Sequence, residues 1–550
     1  MPVLSGAQAL IRSLAREGID VVFGLPGVQI MEAFDALYDE PGIRLVLVRH
    51  EQSVTYMADG YARTTGRPGV GLVVPGPGAL NATTGLGTAY ATSSPVLLIC
   101  GQIESYNLGK NQGALHEIGE QLEVFRQITK WCARTNRVEE IPGLVHTAMR
   151  RLLTGRPRPV EIEIPWDVLP ATAEAELTEP EVFPKQSPEP ADVKEAARLL
   201  AGARRPLIWA GGGSREAGLS AELLELAQAL NAPVITTAQG KGAIPEDNLL
   251  SLGTYYYAHG PGHRALPQAD VILAVGSRMH FAPKLPWGIQ PHQKLIQIDA
   301  DPEEVGRNLP LAVGITADGR PALQALLDEL GGNTRASQWT DGELATIRRD
   351  SYREIKEMAP LQLEIIETIR RELDDDAILV SGTTEIGYWS HLAFPVLKPR
   401  SYITSGYFAT LGFAFPTALG AKVGNPHRQV VATSGDGGFG YASSELATAV
   451  QEEINAVTLV FNNDALGASN SEQRDRLGGR VIGTRLHNPS FAQLAEVYGA
   501  QGVKLSSHLE LGDALRGALR AQRPVVIEIP LPILLPPFQI PPPGAGHPAR

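Results

Sequence analysis

Two cysteines in 550 residues leave little room for sulfur chemistry. Cys100 and Cys132 both sit in or beside apolar runs, which suits buried, reduced thiols better than a disulfide framework or a zinc site. Zinc and redox chemistry are therefore not expected. Long apolar runs are missing too. No uninterrupted stretch is long enough to cross a bilayer, so no membrane partner is expected. The opening Met1-Pro2-Val3-Leu4-Ser5 lacks a basic region followed by an apolar stretch and a small-residue cleavage site, and a cytoplasmic location is the expectation. Positive charge is scarce as well. Lys and Arg number 48 against 60 Asp and Glu, a net charge of -12, which opposes nonspecific attraction to nucleic acid or anionic membranes. Any phosphate the chain binds must be met locally.

What is present is bulk and pattern. The length far exceeds that at which one core stops growing, so two or three domains are expected, and the hydrophobic 43% and charged 20% lie near globular norms. Short β-branched runs followed by a Gly-rich turn and a helical stretch recur, as in parallel sheets with helices on both faces. Strands are expected at 45–48, 70–74, 96–99 and 160–164, then at 207–210, 234–236, 271–275 and 295–298, and finally at 378–380, 430–433, 457–461 and 525–529. The fold class is α/β, with three doubly wound parallel-sheet domains. Residues 170–190 are rich in Pro and Glu and read as a connector, and the polar stretch 331–350 begins the passage into the third unit. Domains at 1–170, 190–330 and 360–550 follow. The stretch Arg158-Pro159-Val160-Glu161-Ile162-Glu163-Ile164-Pro165 agrees at seven of eight positions with Arg523-Pro524-Val525-Val526-Ile527-Glu528-Ile529-Pro530. Either two buried strands converged, or one ancestral unit was duplicated and the middle unit is the odd one out. The Pro-dense tail 530–550 cannot form a regular helix and is either a disordered end or a strap across a neighbouring surface.

One crossover carries chemistry. A buried strand over 429–433 runs into Ser434-Gly435-Asp436-Gly437-Gly438, a helical stretch follows, and the next strand ends on Asn462-Asn463. A right-handed crossover puts Asp436 and Asn463 at the carboxyl edge of one sheet, where ligands bind. A carboxylate and an amide oxygen there are hard ligands for Mg²⁺, and the glycines bring backbone N–H groups up to an anion. Each fragment alone is ordinary turn chemistry. Together, Gly435-Asp436-Gly437 and Asn462-Asn463 match the thiamine diphosphate fingerprint in spacing and context, and here the chain resembles the acetolactate synthase and benzaldehyde lyase family.

The resemblance implies that Asp436, Asn463 and the carbonyl of Ala465 hold Mg²⁺, while Gly435, Gly437, Gly438, Leu466 and Gly467 line the diphosphate. Tyr407-Phe408-Ala409-Thr410-Leu411-Gly412 matches the stretch that bends the cofactor, with Leu411 wedged between its rings and the Ala409 carbonyl accepting from the aminopyrimidine. The family commonly has Met and Gly at these two positions. Glu385 and Ile386 correspond to a second phosphate loop, and Pro26 is expected among the cofactor-binding residues. Arg49-His50-Glu51-Gln52 with Gly60-Tyr61-Ala62-Arg63 meets the family pattern residue for residue, as do Gly76-Pro77-Gly78-Ala79 and Thr88-Ala89-Tyr90. Glu51 is then the buried acid that protonates the aminopyrimidine, so that its exocyclic nitrogen becomes a base. The two halves of such a site come from different subunits in this family. A homodimer is the minimum expected, and a homotetramer is the usual assembly.

The chain also departs from the family. A Gln that faces the reacting carbon is replaced in Gly113-Ala114-Leu115-His116-Glu117 by His116, which is either a proton relay or a structural residue. Gln29 stands where benzaldehyde lyase has an active-site His, and Glu472 stands near the place of a missing gating Trp. Acetolactate synthases hold FAD in the middle domain. Gly211-Gly212-Gly213 and Gly276-Ser277-Arg278 superficially suit it, but such turns are generic and the other FAD contacts are not recognisable around 255–262, so FAD is the weaker expectation. The leading expectation is a carboligase that decarboxylates a 2-oxo acid such as pyruvate and joins the remainder to a second carbonyl. The alternatives are a lyase cleaving 2-hydroxy ketones or 2-hydroxyacyl thioesters, and a non-catalytic relative of the fold.

Overall fold

A computed structural model describes residues 2–216, 219–257, 259–279 and 289–540. Three six-stranded sheets carry the chain, all of their pairings parallel. The first runs, from edge to edge, Arg44–Leu47, Val21–Gly24, Gly69–Val73, Val96–Gln102, Val160–Pro165 and Trp131–Arg134. The third runs Tyr402–Thr404, Ile378–Ser381, Val430–Gly435, Val457–Asn462, Val525–Pro530 and Gln501–Lys504. Counted by position in the chain, the two orders are identical. The middle sheet runs Ser251–Thr254, Val234–Thr236, Pro206–Ala210, Val271–Val275, Lys294–Asp299 and Val313–Thr316, an order that reverses beside Pro206–Ala210 as in dinucleotide-binding folds. The shared order of the outer sheets favours duplication over convergence, because chance resemblance of one strand would not reproduce five others.

Each expected strand overlaps an observed one, although 45–48 and 70–74 each run one residue past the observed ends at Leu47 and Val73. Central strands such as Val96–Gln102 are buried along their whole length, which is why they read as continuous apolar runs. The strands that pattern alone did not mark are short. Trp131–Arg134 and Gln501–Lys504 are half-exposed edges, and Val21–Gly24 offers only three apolar residues before its glycine. The stretch 331–350 is more ordered than its polarity implied. Helix Asp341–Met358, capped by Thr340, crosses from one unit to the next, with Leu344 and Ile347 in the middle core and Ile355 in the third. Over its described part the tail is a strap. Trp389 Nε1 donates to the Leu535 carbonyl at 2.8 Å, His259 Nε2 lies 3.2 Å from the Pro537 carbonyl, and the Phe538 ring packs on Tyr388 at 4.9 Å. Residues 541–550 lie outside the described part. No helix among the described residues is long and apolar enough to cross a membrane.

The repeat also exposes a liability. Glu161 stands where the third unit has Val526. It is fully buried, and neither oxygen has a hydrogen-bond partner among the described residues, although the Cys100 thiol lies beside it. Burial pushes its carboxyl well above the ordinary range, and the charge of Glu163 adds to the push. A raised folded-state value means that the folded chain keeps this proton while the unfolded chain loses it, so stability falls as pH rises through that window. Glu161→Gln, which has no proton to lose, should therefore be more stable than the parent near neutral pH, by roughly 1.4 kcal/mol for each unit that separates the folded from the unfolded value. The gain should vanish where both states are protonated. Thermal midpoints of the two proteins, compared in acid and at neutral pH, check this; a constant difference would refute it.

Candidate active site

Strand Val430–Gly435 passes directly into the short helix Asp436–Gly440, and its parallel neighbour Val457–Asn462 ends at the same level. The right-handed crossover thus places Asp436 and Asn463 together. The N–H of Ala465 lies 3.2 Å from Asp436 Oδ2 and 3.2 Å from Asn463 Oδ1, and Asn488 Nδ2 donates to Asp436 Oδ2 at 2.7 Å. Asn463 Nδ2 donates to Glu385 Oε1 at 3.2 Å. Burial raises the carboxyls of both Asp436 and Glu385, and the charge of Asp436 raises Glu385 further. Two buried carboxylates beside an amide oxygen form a surplus of negative charge that a hard divalent cation would offset, so this donor set fits Mg²⁺.

The glycines around it are of two kinds. A side chain at Gly437 would come within 2.7 Å of Leu466 Cδ2, and one at Gly467 would run into the Glu385 carboxylate. Either would force the Leu466 or the Glu385 side chain to move. Gly435 has room for a side chain, 3.6 Å from Thr384, so its bareness is not dictated by neighbours and leaves backbone open to an anion. Leu411 is half-buried and stays outside the described cores, with Cδ2 3.9 Å from where a Gly438 side chain would start. Ala409, exposed at φ 48°, holds a left-handed conformation that glycine adopts more easily, which accounts for the family's preference there. The Ile386 side chain is buried in the third core. Glu472, on helix Gly467–Arg476, pairs with Arg476.

The first unit presents a second edge. Glu51 opens helix Glu51–Thr65, with the His50 ring accepting from Gln52 N–H at 3.1 Å as the cap. Asn81 Nδ2 donates to Glu51 Oε2 at 3.0 Å, and Oε1 lies 3.4 Å from where a Gly78 side chain would start. The expected burial is only partial, for Glu51 is half-buried in one chain. Gly76, at φ 56°, donates its N–H to Gln121 Oε1 at 2.9 Å, and a side chain there would overlap the His116 carbonyl. Gln29 is 1% exposed, and its Nε2 donates to the Leu115 carbonyl at 2.7 Å. Gln29 Oε1 and His116 Nδ1 are both buried without a partner among the described residues, and His116 holds a left-handed φ of 64°. Unpartnered polar atoms and a left-handed backbone thus fall in one place. Pro26 is exposed in the turn before Gly27, which is pressed against Val74.

Within one chain the two edges are neighbours. Tyr56 Oη and Thr410 Oγ1 are 3.1 Å apart, yet no hydrogen bond among the described residues links Glu51 to the 436–467 group. A cavity of about 1100 Å³ opens at the strand ends of the middle unit, lined by Gly212, Ser277 and Asp299, and reaches Thr383 and Ala409 of the third. Gly211 and Gly276 are accounted for by mutual contact, since a side chain at either would strike the other turn. Ala258, in the 255–262 stretch, lies outside the described residues.

Comparison with known proteins agrees with this division. Residues 4–124 match the N-terminal TPP binding domain of thiamine pyrophosphate enzymes, 193–326 their central domain, and 382–529 their C-terminal TPP binding domain. The probable acetolactate synthase large subunit of Methanocaldococcus jannaschii is 36% identical, over 96% of this chain and 92% of its own.

The chain belongs to the thiamine pyrophosphate enzyme family.

Two further relatives bracket it. The acetolactate synthase isozyme 3 large subunit of Escherichia coli is 33% identical over 95% of this chain and 93% of its own. A probable 2-ketoarginine decarboxylase of Pseudomonas aeruginosa is 38% identical over 90% and 88%. The sequence reading missed Asn488, which touches Asp436, Asn462 and Asp464 at once. Nothing local marks it, because its partners lie on other elements.

Proposed function

We propose that this thiamine pyrophosphate enzyme is a Mg²⁺-dependent carboligase of the acetolactate synthase kind. It decarboxylates a 2-oxo acid such as pyruvate and joins the remainder to a second carbonyl compound. The observation that carries the reading is the convergence of Asp436, Asn463 and Ala465 on one sheet edge, with Glu51 on the equivalent edge of the duplicated unit. When bound, thiamine diphosphate supplies a carbon nucleophile that adds to carbonyls and takes up the electron pair freed as CO₂ leaves. Asp436, Asn463 and the Ala465 carbonyl would hold the metal. Gly435, Gly437, Gly438, Leu466 and Gly467 offer backbone to the diphosphate, with the Glu385–Ile386 backbone beyond them. Leu411 would pack against the bound cofactor, and the Ala409 carbonyl would accept from its aminopyrimidine. Glu51 exchanges a proton with the pyrimidine nitrogen. Gln29 Oε1 and His116 Nδ1, lacking partners of their own, face the substrate.

A second copy completes this arrangement. Glu51 is half-buried in one chain, whereas a proton-relaying acid works best shielded from water. Apolar residues near both edges stand open as well: Val28 is 56% exposed, Leu115 54%, Tyr441 66% and Ile482 80%. A homodimer covers them, and two such dimers form the tetramer. Mixing Asp436→Ala and Glu51→Gln proteins, each inactive alone, should restore part of the activity if a site takes Glu51 from one copy and Asp436 from the other. No recovery from mixed dimers would place both residues in one chain.

FAD stays outside this reading, because the glycines at the middle cavity explain themselves by packing; a flavin spectrum from purified protein would bring it in. CO₂ release from pyruvate should stop on metal chelation and return with Mg²⁺ and thiamine diphosphate, and release indifferent to the chelator would contradict the reading. If His116 moves a proton, His116→Gln should change the shape of the pH profile and not only its height. A loss uniform in pH, with a lower thermal midpoint, would make His116 structural.

A further inference from the structure

The duplicated strands carry the same glutamate into the same surroundings. Glu163 and Glu528 are both buried, and each accepts from an amide at the end of the adjacent strand: Gln102 Nε2 at 3.1 Å and Asn462 Nδ2 at 3.2 Å. Each also meets a cation at the end of the edge strand, Arg134 at 3.3 Å and Lys504 at 2.9 Å. From there both connections run on to a functional edge. Asn462 Oδ1 accepts from Asp464 N–H at 3.1 Å and from Asn488 Nδ2 at 3.1 Å, and that same Nδ2 donates to Asp436 Oδ2 at 2.7 Å. In the first unit, Gln121 Nε2 donates to Glu163 Oε1 at 2.9 Å, while Gln121 Oε1 accepts from Gly76 N–H at 2.9 Å. Gly76 abuts the His116 carbonyl, and Gly78 stands against Glu51.

An amide can point its oxygen or its NH₂ in a given direction, and only its partners decide which. A carboxylate accepts only. Glu528 therefore fixes the NH₂ of Asn462 toward itself and turns Oδ1 toward Asn488, which leaves Asn488 as a donor aimed at Asp436. By the same logic Glu163 turns the oxygen of Gln121 toward Gly76. We propose that Glu528 and Glu163 are a duplicated pair of positioning residues, the first orienting the metal ligand Asp436 through Asn462 and Asn488, the second holding the 76–78 turn against Glu51. This rests on the roles given above to Asp436 and Glu51.

The two residues should fail differently. In Glu528→Gln, whose new NH₂ opposes donors, the dissociation constant for Mg²⁺ and thiamine diphosphate should rise roughly 10–100-fold, as for other groups behind a metal ligand. Exchange of the cofactor C2 proton at saturation should change little. Glu163→Gln should slow that exchange roughly tenfold or more, by disturbing the acid's surroundings, and leave cofactor affinity alone. Lys504→Met removes the ion pair but not the Asn462 bond, so it should lower the thermal midpoint without weakening cofactor binding. Asn488→Ala should reproduce the loss of affinity even if Glu528→Gln does not fold. Wild-type affinity in Asn488→Ala, an equal loss in Lys504→Met, or the same defect in both glutamate variants would overturn the proposal. If Asp436→Ala itself binds cofactor normally, the metal reading fails instead; if only Asn488→Ala binds normally, the positioning role alone is lost.

Discussion

Asp436→Ala is expected to lose Mg²⁺-dependent binding of thiamine diphosphate altogether while the chain still folds. Mg²⁺ takes few protein ligands and demands near-ideal geometry, so removal of Asp436, the only carboxylate among the proposed ligands, would leave an amide and a carbonyl that cannot hold it at ordinary concentrations. The fold has less to lose. Asp436 lies at a strand end, and burial already raises its carboxyl. Its removal deprives the Ala465 N–H and the Asn488 amide of one acceptor, at a cost of about 1–3 kcal/mol. The same change removes an unfavourable buried charge. Calorimetric titration of the variant with cofactor in excess Mg²⁺ should show no binding heat, and a dissociation constant equal to the parent's would end the assignment.

Glu51→Gln is expected to separate binding from activation. Glutamine keeps the length of the side chain and an oxygen for the Asn81 amide, which donates to Glu51 at 3.0 Å, so the helix start and the 76–78 turn should persist. What it cannot do is pass a proton. Deuterium exchange at C2 of the bound cofactor should slow by roughly 10²–10⁴-fold, the range for loss of a positioned acid or base. Cofactor affinity should stay within about tenfold, since the side chain meets a neutral ring and not the diphosphate. Exchange as fast as in the parent would remove Glu51 from the mechanism.

Legibility in the sequence followed the range of each interaction. The meeting of Asp436 and Asn463 was legible because strand, turn and helix lie side by side in the chain and one crossover suffices to bring them together. The likeness between Val160–Pro165 and Val525–Pro530 foreshadowed the common strand order of the outer sheets. Helix Asp341–Met358 escaped because its apolar residues serve two cores and no single stripe shows. Asn488 escaped because its partners Asp436 and Asn462 both lie far from it in the chain. Ile386 lies in the first turn of helix Glu385–Ala393, and its side chain turns into the core. The partial exposure of Glu51 could not be read at all, since it depends on what a single chain leaves uncovered.

Carbon–carbon bond formation is the most direct test of the whole account. Pyruvate labelled with carbon-13, supplied with the protein, Mg²⁺ and thiamine diphosphate, should yield CO₂ and labelled acetolactate or acetoin in the nuclear magnetic resonance spectrum, even if turnover is slow. Rapid cleavage of benzoin or an aliphatic 2-hydroxy ketone with no decarboxylation of pyruvate would contradict it, as would CO₂ accompanied only by free aldehyde.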